Sequence, residues 1–234
     1  MASDEVADAM ELRFGKLADF YTKKFPGQEQ EYAFRQNGMQ LIDVAEHSAT
    51  LAVRPFVTDT KFVYVTFGVG NFFHLVQIAQ GKPRKEERDT TQELMITIPR
   101  VGGQEAPQWP VHVLFSFFNA FCRGAPMLAP FSSCPCQAPV VPVACPDRER
   151  CQHQTWFIAP ADEKEWPVIE DCNGPQRFNH LVSITEAERA LVQQGEGERL
   201  WSMIVDTQGA DAVVTRVDRP SIVPSGKAAE PANP

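Results

Sequence analysis

The chain has 234 residues, enough for one large domain or two small ones, and its 43% hydrophobic and 22% charged content is ordinary for a soluble globular protein. A net charge of −8 argues against a global nucleic-acid footprint, because phosphate binding needs clustered Lys and Arg. No stretch approaches the ~18 apolar residues that span a membrane, and Met1-Ala2-Ser3-Asp4-Glu5 lacks the basic and apolar regions of a signal peptide, so a cytoplasmic location with reduced cysteines is expected.

Residues 3–25 read as an amphipathic helix. Ser3 is the candidate N-cap, Asp4 and Glu5 suit the positive end of the dipole, and Val6, Met10, Leu17, Phe20 and Tyr21 form one apolar stripe closed by Pro26-Gly27. Three strand-like runs follow at 32–35, 39–44 and 48–56. A stronger one, Lys61 to Phe67, is rich in β-branched and aromatic residues. Gly68-Val69-Gly70-Asn71 permits a tight turn, and Phe72 to Ala79 is expected to be another strand. The charged run 81–89 reads as an exposed hinge. Gln92 to Pro99 suits a buried strand, and Val111 to Arg123 is apolar on nearly every side, as a buried helix with Pro110 in its first turn.

Six prolines between Gly124 and Cys151 leave room only for short extended pieces, in a long excursion of the kind that often carries function. Thr155 to Ala159 resumes a strand, Asp162 to Glu165 is an acidic turn, and Phe178 to Ile184 is again a buried strand. Thr185-Glu186-Ala187-Glu188 is a capping box opening a helix to Gln194. A second helix carries Leu200, Trp201, Ile204 and Val205 on one side. Ala212 to Val217 reads as an edge strand, and from Asp218 the composition is that of a disordered tail. Without regular βαβ alternation, these elements define an α+β fold: a mixed, largely antiparallel sheet flanked by helices, in a single domain over 1–217 with a loose tail over 218–234.

Several of these pieces, in this order, resemble the suppressor-of-fused (SUFU) family in its short single-domain bacterial form. They are Tyr64-Val65-Thr66-Phe67-Gly68-Val69, Glu93-Leu94-Met95-Ile96-Thr97-Ile98-Pro99, Trp109-Pro110 opening an apolar helix, and His180 to Ile184 followed by Thr185-Glu186-Ala187-Glu188. The resemblance implies a non-enzymatic module with a protein partner. Large animal members grip transcription factors as an added strand between two domains. Bacterial single-domain relatives are inferred to be immunity proteins that neutralise a cognate toxin. A single domain is expected here, so the two-domain clamp is not carried over, and the resemblance transfers no catalytic residue or cofactor.

Three readings compete for the remaining chemistry. Cys134, Cys136, Cys145, Cys151 and His153 supply thiols and an imidazole within one loop-rich region. They could hold zinc or form a regulatory disulfide, although Cys-x-Cys bites poorly on one metal and free thiols are the plainer reading. His47, His74, His112 and His180 are scattered, with the last three inside apolar elements, and Ser116 has no nucleophile elbow around it. For partner binding the candidates are Trp156, Asp162, Glu163, Glu165, Trp166, Glu170 and Asp171, where aromatics beside an acidic rim would meet a basic patch; the same aromatics could equally cover the sheet.

Overall fold

The computed structural model describes residues 3–27, 34–35, 52–72, 91–123, 125–135, 153–170, 175–216 and 219–223. In chain order the named elements are α1 (Ser3–Lys24), β1 (Phe34–Arg35), β2 (Ala52–Val57), β3 (Lys61–Phe67), β4 (Thr91–Pro99), α2 (Trp109–Cys122), β5 (Ser133–Pro135), β6 (His153–Pro160), β7 (Gln176–Thr185), α3 (Glu186–Gln193) and α4 (Gly197–Gln208), followed by a 3-10 turn, Gly209–Asp211. The strands form one sheet in the order β1-β2-β3-β4-β7-β6-β5. Every pairing is antiparallel except β4 with β7, which run parallel with Leu94 opposite Asn179 and Met95 opposite His180. The fold is therefore α+β with a mixed sheet, as the element order implied.

Period-two alternation in the central strands sends apolar side chains to both faces, which is why β3 and β4 are buried almost end to end. On one face Phe62, Tyr64, Leu94, Ile96, Trp156 and Leu181 pack under α2, where Trp109 lies 6.5 Å from the Trp156 ring, stacked with it. On the other face Leu17 and Tyr21 of α1, with Phe25 just after it, pack on Phe56, Val63, Val65 and Met95. The same face continues over β6 and β7, where Leu200 and Ile204 of α4 meet Phe157, Val182 and Ile184. Two helices thus share one face, and a gap runs between them.

Three expectations change, and a fourth falls partly outside the described residues. The strand expected from Phe72 is preceded by a helical turn over Val69–Phe72, which includes Phe72 itself; residues 73–79 lie outside the described residues. The expected edge strand at 212–217 is a wedge instead over 212–216, and Val217 lies outside the described residues. β4 and β7 pair only as far as Met95 and His180, and beyond them Val214 bridges Thr97 while Thr215 donates its amide to the Thr97 carbonyl (2.7 Å) and its hydroxyl to the Leu181 carbonyl (3.0 Å). The segment 219–223, assigned by composition to a loose tail, is tied down by Arg219. Of the expected strands at 32–35, 39–44 and 48–56, the described residues place Phe34–Arg35 and Ala52–Val57 in the sheet, while 32–33, 39–44 and 48–51 lie outside the described residues.

Candidate functional site

Two buried carboxylates explain the most distinctive sequence pieces, and both build the scaffold. Glu93 of β4 is fully buried. It accepts from the Thr66 hydroxyl (2.6 Å), the Gln176 amide (2.7 Å) and the backbone N–H groups of Gly68 (3.2 Å), Val69 (3.3 Å) and Gly70 (3.2 Å). Burial holds its carboxyl above the usual carboxylate range, and these donors offset only part of that rise. Every neighbour donates, so the ionised form satisfies the site. Gly68 has φ 120°, which turns the chain into the helical turn whose free N–H groups the carboxylate caps. A Cβ on Gly70 would come within 2.9 Å of the Gln176 amide nitrogen, so glycine is also needed there.

The second carboxylate is Glu188. The capping box is formed as expected: the Thr185 side chain accepts from the Glu188 amide, and Glu188 reaches back to the Thr185 amide. Its carboxylate is also gripped by both Arg219 nitrogens at 2.7 Å each and by the Ile222 amide at 2.9 Å. Burial alone would raise this carboxyl, but the guanidinium and the amides hold it below its usual range. His153 completes the cluster, with Nδ1 3.1 Å from the Ser183 hydroxyl and Nε2 2.7 Å from the Arg219 carbonyl. A carbonyl partner fixes Nε2 as the donor and leaves Nδ1 to accept. Burial lowers the ring's pKa, and the hydroxyl–imidazole pair is sealed in the core.

The gap between α1 and α4 is an accessible feature among the described residues. It is a cleft of about 650 Å³ over the middle of the sheet, floored by Val63, Thr97 and His180. One wall is the acidic turn and the end of α1. Asp162 starts the turn, its carboxylate accepting from the Lys164 amide (3.0 Å) and its carbonyl from the Trp166 amide (2.8 Å). Lys24 places its ammonium 4.4 Å from the Trp166 ring centroid and donates to the Glu165 carbonyl (2.8 Å). The other wall is α4 and the chain after it, with Trp201, Val205 and Ala212; Lys61 closes one side, paired with Asp211 at 3.0 Å.

The expected partner residues divide sharply. Asp162, Glu165 and Trp166 line this cleft, with Trp166 buried among Phe20, Phe25 and Phe178. Trp156 does not join them: it points to the opposite face of the sheet, 1% exposed, because alternation along β6 sends it under α2. Glu163 is exposed and paired with Arg177 (2.6 Å), and Glu170 is exposed and lends its carbonyl to Lys16 (2.7 Å). Asp171 lies outside the described residues, as do Cys136, Cys145 and Cys151. Cys134 is half-buried against the α2 core, and His153 spends both ring nitrogens on protein partners. No group of three metal-ligating side chains occurs among the described residues. Cys122 belongs to the core side of α2, where burial pushes its thiol up to about 11. His112 departs from its expected apolar setting and lies exposed on α2.

Sequence reasoning missed the second wall. It placed Leu200, Trp201, Ile204 and Val205 on one side of a helix. The structure sends Leu200 and Ile204 into the core and turns Trp201 and Val205 towards the cleft, with Val205 39% exposed. Two apolar pairs offset by one residue make a stripe wider than one core contact needs, and that surplus was the available signal.

Fold and site together define an α+β scaffold whose motif residues are spent on structure and whose open features include a cleft of peptide size. The family is shown by its model: residues 28–220 match Suppressor of fused protein (SUFU), and the chain belongs to that family. Three solved structures share the fold. A chain of the Sufu–Fu complex crystal structure matches at TM-score 0.61 with 14% identity, over 89% of this chain and 91% of that one. A putative SUFU homologue from Neisseria gonorrhoeae matches at 0.60 with 17% identity, over 93% and 98%. Drosophila Suppressor of Fused matches at 0.60 with 14% identity, over 88% of this chain but 50% of that one, so the chain spans half the length of that protein. No curated protein matches the chain.

Proposed function

We propose that this chain is a cytoplasmic, non-enzymatic protein-binding module that neutralises or regulates a protein partner, a cognate toxin being one candidate. Family membership over residues 28–220 carries this reading. The Sufu–Fu complex supplies the precedent of a relative with this fold in a complex. The cleft supports it locally, since it joins an exposed acidic turn to apolar walls, the arrangement that gives an interface both a rim and an anchor. Among the described residues, no hydroxyl, thiol or imidazole in the cleft is paired as nucleophile and base.

The test is co-expression with the product of the neighbouring gene, followed by size-exclusion chromatography of the purified chain with that product. A stable complex, with relief of any toxicity of the second protein, is the expected result. Absence of a specific protein partner there and in pull-downs from the host, together with measurable turnover of a substrate, would overturn the reading.

A further inference from the structure

Residues 219–223 lie across the start of α3 as a strap, and their ties converge on one buried cluster. Arg219 grips the Glu188 carboxylate at 2.7 Å through each terminal nitrogen and donates to the Ser183 carbonyl (3.3 Å). The Ile222 amide donates to the same carboxylate (2.9 Å), and the Ser221 hydroxyl meets that of Thr185 (3.1 Å). The apolar residues of the strap, Ile222 and Val223, pack on the core that Phe157, Val182, Ile184, Leu200 and Ile204 share.

One member of the cluster belongs to the side-chain type that changes charge near neutral pH. His153 is 2% exposed. Its Nε2 lies 2.7 Å from the Arg219 carbonyl, which can only accept, so this nitrogen carries the proton and Nδ1 accepts from the Ser183 hydroxyl at 3.1 Å. A second proton would have to go onto Nδ1. The hydroxyl would then have to turn, and a new cation would lie beside Arg219 with the one Glu188 carboxylate to balance both. Among the described residues, the charged groups acting on the ring are Glu188 from α3 and Arg219 from the strap, while β7 presents the neutral Ser183 hydroxyl. Burial is the largest influence, and it keeps the ring's pKa below its ordinary value.

We propose that residues 219–223 are an acid-released strap, with His153 as its proton sensor. The Arg219 carbonyl sits on the imidazole, so lifting the strap gives the ring back to water. An exposed imidazole takes up a proton near its ordinary pKa of ~6.5, and the closed one refuses it. Below that pH the open form binds one proton more than the closed form, and the opening constant rises by up to about tenfold per pH unit. Glu188 acts in the same direction at lower pH, because its carboxyl is held down only while Arg219 and the Ile222 amide grip it. Opening uncovers the apolar core on which Ile222 and Val223 pack. The strap works in this way whether or not a partner binds at the cleft.

The experiment follows amide hydrogen exchange of the full chain by NMR between pH 7.5 and pH 5, above the carboxylate range. It compares the protection factor of the Ile222 amide with those of β7. In the wild type, Ile222 protection should fall by about tenfold over that range, from a value below that of the β7 amides. His153→Gln keeps an N–H for the Arg219 carbonyl and removes the titration, so its Ile222 protection should stay flat. The His153 ring resonances of the wild type should show no protonation step near pH 6.5. A flat wild-type profile, an equal slope in His153→Gln, or Ile222 exchanging only together with β7 would each overturn the proposal. So would a His153 ring that titrates at its ordinary value while Ile222 stays protected. Should His153→Gln fail to fold, the wild-type profile and the ring titration still decide it.

Discussion

Glu93 shows how a motif residue can be legible without its role being so. The sequence marks a carboxylate at the start of an apolar strand and a Thr-x-Gly turn 25 residues earlier. Nothing in their spacing says that Thr66, Gly68 and Glu93 meet, because β3 and β4 are joined by chain outside both motifs. The structure brings five donors onto one carboxylate. Glu93→Gln would turn an NH₂ group towards donors, so we expect a loss of about 3 kcal/mol. For a chain of this size that lowers Tm by about 6–12 °C in a thermal melt. An unchanged Tm would mean that the site tolerates a neutral group.

His180 makes a pH prediction whose sign is fixed. Burial pushes its pKa down to about 3, while the unfolded chain keeps an ordinary value near ~6.5. Between those values the unfolded state binds a proton that the folded state refuses. Stability therefore falls with falling pH below about 6.5, at up to about 1.4 kcal/mol per pH unit from this residue. His180→Leu should flatten the slope by about one proton in urea melts between pH 4 and pH 6. Its sequence context, an apolar run, showed that it was buried; that its Nδ1 lacks a partner depends on tertiary packing and could not be read.

At the scale of elements, the C-terminal segment is where composition misled. Asp218 onward looks like a tail because Pro, Ser, Gly and Ala dominate, and composition counts residues without weighing any one of them. One residue, Arg219, decides the matter for 219–223 by gripping buried Glu188 with both guanidinium nitrogens. Arg219→Ala leaves that carboxylate buried and uncompensated, a loss of about 3–5 kcal/mol. Lysine should recover only part of it, since a point charge cannot match the fork. Because Glu188 is held below its usual range, its contribution is present above the ordinary carboxylate pKa and disappears as pH falls through the lowered folded value. Urea denaturation of the wild type and Arg219→Ala at pH 7 and pH 3 would check both statements: the gap between them should narrow in acid. Other elements were plain from sequence because local rules agreed. Pro110 starts α2 within its first turn, and the capping box starts α3 at Thr185.

For the whole molecule, the mixed sheet followed from the element order, but the cleft did not. It arises because α1 and α4, far apart in sequence, share one sheet face without meeting, and no local pattern encodes that spacing. The acidic turn was found by composition, yet its companion in the cleft is Trp166 and not Trp156, since alternation along β6 buries the latter on the opposite face. α4 begins at Gly197, where a Cβ would collide with the Phe131 carbonyl oxygen, so the position of this wall is set by a close backbone approach. The central claim is that a protein partner is held at this cleft. It is tested most directly by calorimetric affinity of the co-purified partner for wild type and for Val205→Glu. The account predicts affinity at least about tenfold weaker for the variant, with an unchanged Tm. Equal affinity would contradict it.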